Sequence, residues 1–126
     1  MKTKITRSKD VLALTLAITS GEEGDIVYPS GDLAVSKAPA NSRNVLGILA
    51  YKDKEGDGTV ETNFSREMEV EFDGAVAPGD YVKIGANNPS GEQCYKKWVS
   101  GTDAESLRIG LCIKGGADES VGIIVM

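Results

Sequence analysis

The sequence predicts an all-β protein, a compact β-barrel or sandwich built from two similar β units with no substantial helix. Three observations carry this prediction. Fifteen glycines but only 6% aromatic residues among 126 residues describe a chain of short strands and many turns. Met68, Val70 and Phe72 alternate with Glu67, Glu69 and Glu71, a period of two that sends apolar side chains to one face of a strand and carboxylates to the other. No segment sustains an apolar period of 3.6 over about ten residues, the minimum for a helix of ordinary length.

The chain opens on a basic arm over residues 1–10, followed by a single all-β domain over residues 11–126. Residues 1–21 imitate a secretion signal, with basic residues over 1–9, an apolar run over 11–18 and then Thr19-Ser20-Gly21. Asp10 abuts that run, however, and Leu12, Leu14, Leu16 and Ile18 alternate with Ala13, Thr15 and Ala17, which is the pattern of a strand. The turn Ser20-Gly21-Glu22-Glu23-Gly24 leads to a strand at Asp25-Ile26-Val27-Tyr28, stopped by Pro29-Ser30-Gly31. Leu33-Ala34-Val35 is a short return. Residues 45–51 run nearly all apolar, as a strand buried on both faces does, and Gly47 within it signals a close backbone approach or a bulge. Residues 52–58 form a charged turn in which Gly56 and Gly58 supply positive φ, and residues 59–64 lead on to the strand centred on Val70. Pro78-Gly79-Asp80 turns the chain into Tyr81-Val82-Lys83-Ile84. A polar loop over residues 85–91 precedes a strand within 93–99 that holds Trp98, the sole tryptophan. Residues 100–106 form a loop with room for one helical turn, and strands over 107–113 and 120–126 close the chain.

This order of strands occurs twice. Gly79-Asp80-Tyr81-Val82 repeats Gly24-Asp25-Ile26-Val27, and residues 107–113 correspond to 45–51 with Gly110 on Gly47. Two similar units then pack about a pseudo-twofold axis or weave into one barrel or sandwich. Measured from the two glycines, residues 12–18 lie one position out of step with 68–72, which leaves the first strands of the two units free to use different faces.

The charge is split. Lys2, Lys4, Arg7 and Lys9 against Asp10 make the first ten residues three charges positive, and the remaining ten basic and eighteen acidic side chains make the body eight negative. An acidic body disfavours wrapping nucleic acid, because phosphate neutralisation needs clustered Lys and Arg. The arm suits an acidic protein surface, or serves as a loose, solubilising terminus. No apolar run approaches the ~20 residues of a membrane span.

Little in the chain points to catalysis. There is no histidine, the usual base for Ser or Cys nucleophiles and the commonest transition-metal ligand. Neither GxGxxG nor GxxxxGK[ST] occurs. Glu67, Glu69 and Glu71 read as a solvated face or a guarded sheet edge. Residues 53–61 imitate the opening of a calcium loop, but Phe64 stands where a bidentate Glu completes coordination. Cys94 and Cys112 are expected as reduced, partly buried thiols, with a bridge between neighbouring strands left open. We therefore assign no catalytic, cofactor-binding or metal-ligating residue and no cofactor.

Taken together, Gly24-Asp25-Ile26-Val27, Val45-Leu46-Gly47-Ile48-Leu49-Ala50, Gly79-Asp80-Tyr81-Val82 and Ile109-Gly110-Leu111-Cys112-Ile113 resemble the small capsid cement or head decoration proteins of tailed bacteriophages. The resemblance spans most of residues 18–126. It implies a structural virion protein, made in the host cytoplasm, that binds the outer surface of the head, contacts the major capsid protein and braces its subunits for head stabilisation. It implies no enzyme, no membrane and no direct nucleic-acid contact, and it leaves a homo-oligomer on the capsid open. No capsid-contact residue carries over from the family, so Lys2, Lys4, Arg7 and Lys9 are the contacts expected from charge alone. The other reading is a small β-barrel binding module for an oligonucleotide or carbohydrate, with Tyr81, Tyr95 and Trp98 stacking beside Lys83, Lys96 and Lys97.

Overall fold

The computed structural model describes residues 13–62 and 67–126. The basic arm with Lys2, Lys4, Arg7 and Lys9, and Phe64 of the calcium-like loop, lie outside the described residues. The first unit comprises β1 (Ala13–Ile18), β2 (Ile26–Gly31), β3 (Ala34–Lys37), β4 (Gly47–Lys52) and β5 (Asp57–Glu61). The second comprises β6 (Glu67–Glu71), β7 (Tyr81–Ile84), β8 (Tyr95–Lys97), β9 (Gly110–Lys114) and β10 (Val121–Val125). A single 3₁₀ turn, Glu105–Leu107, occupies the loop where a helical turn was expected.

The duplication holds strand by strand. The first unit is a closed barrel in the order β1-β3-β2-β4-β5, with β5 returning antiparallel to β1 and β1 running parallel to β3. In the second the order is β6-β10-β9-β7-β8, and a parallel bridge between Phe72 and Tyr95 joins the two ends. Read around the ring, the two orders are the same, with β6 to β10 in the places of β1 to β5. Even the irregularities recur. The register shifts at Ala50 where β4 meets β5, and at Ile113 where β9 meets β10, so each unit bends at the same bulge.

The turn that defines the repeat is built identically in both units. Asp25 Oδ2 accepts the Glu22 N–H at 2.9 Å, and Asp80 Oδ2 accepts the Ala77 N–H at 2.9 Å. Gly24 N–H donates to the Leu49 carbonyl and Gly79 N–H to the Cys112 carbonyl, both at 2.8 Å. The two glycines have φ of +95° and +91°, a region that a residue with a Cβ enters only at a cost. An Asp one residue later supplies the acceptor that closes the turn. The Gly-Asp pair is therefore a local structural requirement of each unit.

Register also settles the one-residue offset. Leu16 faces Gly58 across β1 and β5, and Val70 faces Gly122 across β6 and β10. Leu14, Leu16 and Ile18 thus occupy the places of Met68, Val70 and Phe72, and both first strands turn the same face inward. The extra residue is taken up in the longer connection of residues 73–78, so the strands do not use different faces. The cores match in turn. Leu16, Ile18, Val27, Val35, Leu49 and Val60 fill the barrel of the first unit, and Val70, Phe72, Val82, Tyr95, Cys112 and Ile124 occupy the equivalent positions in the second unit. Each fully buried aliphatic side chain contributes about 1.5–3 kcal/mol relative to exposure.

Two local expectations are refined. Gly47 does mark a close approach, since a Cβ there would strike the Glu61 carbonyl. In the charged turn Gly56 has φ +90°, but Gly58 does not have a positive φ. A Cβ on Gly58 would instead meet the Tyr51 carbonyl and the Ile18 side chain, so its role is to give space inside the barrel.

Candidate interaction surfaces

The two units pack head to tail. Ile26, Ala38 and Ile48 point out of the first barrel, yet they are at most 3% exposed because they join the core cluster of the second unit. This explains the doubly apolar strand at residues 45–51: Leu49 fills its own barrel while Ile48 fills the junction. Gln93 clamps the junction from the loop before β8. Its Oε1 accepts the Ile26 N–H at 2.8 Å, and its Nε2 donates to the carbonyls of Ile26 and Ala38, both at 3.0 Å. The Asn41 N–H adds a bond to the Ile84 carbonyl at 3.0 Å, and Lys37 Nζ donates to the Gly91 carbonyl. Sequence reading missed Gln93, because a lone glutamine in a polar loop carries no periodic signal.

Two surfaces bear on an interaction role. On the second unit, Tyr81 is 42% exposed and stands edge-on to Trp98, with ring centroids 6.2 Å apart and planes at 90°. The Arg108 guanidinium lies 4.4 Å from the Tyr81 ring centre and 5.3 Å from that of Trp98, a cation–π arrangement. Arg108 Nη2 is also 3.1 Å from Glu105 Oε2. On the first unit, Leu14, Leu16, Pro29, Leu33, Ala34, Val35 and Leu46 border a cleft of about 320 Å³ along the β1–β3 seam. Leu33 at its rim is 75% exposed, with φ +51°.

The residues proposed for stacking on bases or sugars are not presented together. Tyr95 is buried at the β6–β8 seam, where burial pushes its hydroxyl pKa well up, reinforced by the charge of Asp25. Lys83 is buried and holds Asp103 at 2.7 Å. Trp98 is buried with its Nε1 donating to the Ala104 carbonyl at 2.9 Å. Of the six, Tyr81, Lys96 and Lys97 are exposed, and Lys97 lies 3.7 Å from Asp80.

The remaining candidate residues have structural partners. Glu67 and Glu69 are exposed, as expected of a solvated face. Glu71 differs, because its Oε2 accepts the Cys94 thiol at 3.2 Å and its Oε1 the Asn88 amide at 3.4 Å. Burial and this carboxylate push the Cys94 pKa up to about 11, so its thiol stays protonated. Cys112 is raised too, chiefly by burial. Both cysteines are free and buried, and no bridge joins them. In the calcium-like turn, Asp53 Oδ1 accepts the N–H groups of Glu55 and Asp57, each at 2.9 Å. Among the described residues, no group of three or more His, Cys, Asp or Glu could hold a metal ion, and no helix is long and apolar enough to cross a membrane.

No protein-family model matches the chain, and no curated protein matches it.

Proposed function

We propose that this protein is a capsid decoration, or cement, protein that binds the outer surface of a tailed-phage head and stabilises it, without catalysis. The observation that carries the reading is the paired Gly-Asp turn. The segments that resemble the decoration proteins, around Gly24-Asp25 and Gly79-Asp80, hold equivalent places in two five-stranded units with the same hydrogen bonds. A rigid double unit with exposed loops and strand faces suits a protein that braces neighbours by contact. The acidic body needs a cationic element to approach an acidic capsid surface, and the arm with Lys2, Lys4, Arg7 and Lys9 supplies it. The partner is the major capsid protein, and the site is the outside of the virion.

The test is binding to expanded phage heads. Purified protein incubated with heads should co-sediment at a fixed stoichiometry and raise the temperature at which the heads rupture. Deleting residues 1–9 should leave the melting of the free protein unchanged and lower its occupancy, with the larger loss at low salt, where charge attraction is least screened. Failure of the full chain to co-sediment at any salt concentration overturns the reading. Full occupancy by the truncated chain removes the arm from the contact.

A further inference from the structure

The head-to-tail junction within the chain uses one face of each unit, and the duplication places a copy of each face on the opposite end of the molecule. At the junction, Ile26, Ala38 and Ile48 of the first unit share a buried cluster with Val70 and Tyr95 of the second, with Met68 packed against it, and beside them Gly24 and Asp25 border a cleft that Gln93, Glu69, Glu71, Asn88 and Glu92 also line. Register makes Leu14, Leu16 and Val35 the equivalents of Met68, Val70 and Tyr95, and Leu33 stands two residues before Val35 as Gln93 stands two residues before Tyr95. They border the open cleft of about 320 Å³ on the first unit, which nothing among the described residues covers. In the same way, Asp80, Tyr81, Trp98 and Leu111 are the equivalents of Asp25, Ile26, Ala38 and Ile48. Ile26 is fully buried at the junction, whereas Tyr81 is 42% exposed. The molecule therefore ends in two unlike surfaces, each shaped like one side of a contact that it already makes internally.

We infer that a second copy of this chain occupies the open cleft, its Gly79-Asp80-Tyr81 edge seated over Leu14, Leu16 and Leu33 in continuation of the internal junction. The chemistry of the two surfaces agrees. The polar clamp Gln93 is replaced at the rim by Leu33, which is 75% exposed, and the face it would meet presents the half-exposed Tyr81 ring, backed by buried Trp98 and the Arg108 guanidinium, in place of Ile26. Apolar rim against aromatic face is the composition found at the core of protein interfaces. Because the two surfaces differ, the association is heterologous, and it closes into a ring or extends according to the rotation between copies. This inference does not depend on the capsid reading, and it is measured on the free protein.

The test exploits that asymmetry. Leu33→Asp disables the cleft, and Asp tolerates the positive φ at that exposed position better than Leu does. Tyr81→Glu disables the opposite face. The full chain should show an average mass that rises above 13.3 kDa with concentration in sedimentation equilibrium. Each variant alone should stay at 13.3 kDa while melting like a folded protein. An equimolar mixture of the two should recover one contact, giving a species of twice that mass and none larger, since each variant keeps the face that the other lacks. A full chain that stays monomeric to millimolar concentration overturns the inference, as does a mixture that forms no dimer. Assembly that appears only after residues 1–12 are removed also overturns it, because the chain's own arm would then be the occupant of the cleft.

Discussion

The side-chain amide of Gln93 reads both backbone groups of Ile26, accepting its N–H at 2.8 Å and donating to its carbonyl at 3.0 Å. Two residues separated by 67 positions are thereby held like neighbours on adjacent strands, and the two units become one body. Replacing Gln93 with Leu should leave the Ile26 N–H and the Ile26 and Ala38 carbonyls without this partner. A loss of about 2–4 kcal/mol is expected, since each orphaned buried polar group costs roughly 1–3 kcal/mol, while the Ile26 carbonyl keeps the Ala38 N–H and the site is only partly buried. Denaturant unfolding followed by Trp98 fluorescence measures it, and a variant within 0.5 kcal/mol (about the error of such fits) would mean that apolar packing alone holds the junction.

Val70 is buried in the core of the second unit, and Glu69 beside it is exposed. Val70→Asp should prevent folding, because an unpaired carboxylate in an apolar core costs several kcal/mol, a large part of a domain's net stability. Glu69→Lys should melt within a few degrees of the parent. Circular dichroism of the pair checks the facing of β6.

Asp103 is held below the usual carboxylate range, first by its hydrogen bond from Lys83 and then by the Val99 N–H. A carboxylate with a depressed folded-state pKa contributes stability above its unfolded value and loses it as pH falls through the folded one. Asp103→Asn should therefore lower the melting temperature at pH 7, and the gap should close on acidification below the ordinary carboxylate range. A gap independent of pH would mean that the ion pair contributes only packing.

Cys94 should be inert in the native protein. Its thiol is buried against the Glu71 carboxylate with its pKa raised to about 11, so little thiolate is present at pH 8, and only the thiolate reacts. Thiol reagents should modify it at the rate of unfolding. Stability should be intact below the ordinary thiol value of 9.0 and fall as pH rises towards about 11, because the unfolded state ionises first. Rapid labelling of the folded chain at pH 8 would contradict the buried contact with Glu71.

Calcium should leave the melting temperature unchanged. One oxygen of Asp53 is already engaged by the N–H groups of Glu55 and Asp57, which uses the side chain to form the hairpin turn. A clear rise at millimolar calcium, reversed by chelator, would show that the turn rearranges around the ion.

The sequence by itself determined what depends on neighbours along the chain. Alternation at Met68, Val70 and Phe72 set the buried face of β6, because side chains on a strand point to opposite sides. Gly24-Asp25 and Gly79-Asp80 announced the two equivalent turns, because positive φ and a carboxylate acceptor are local needs. Gly47 and Gly110 marked matching strands. Only the tertiary structure decided matters that depend on distant partners. Pairing across β1–β5 and β6–β10 showed that the one-residue offset sits in the connection and not in the strands, since register is fixed by what lies opposite. Ile26, Ala38 and Ile48 look like any outward strand residues until the second unit covers them. Tyr81, Trp98 and Arg108 stack because β7, β8 and the segment before β9 converge there, and the cleft beside Leu33 exists because β1 and β3 meet. Such contacts join residues far apart in sequence, and no local pattern encodes them.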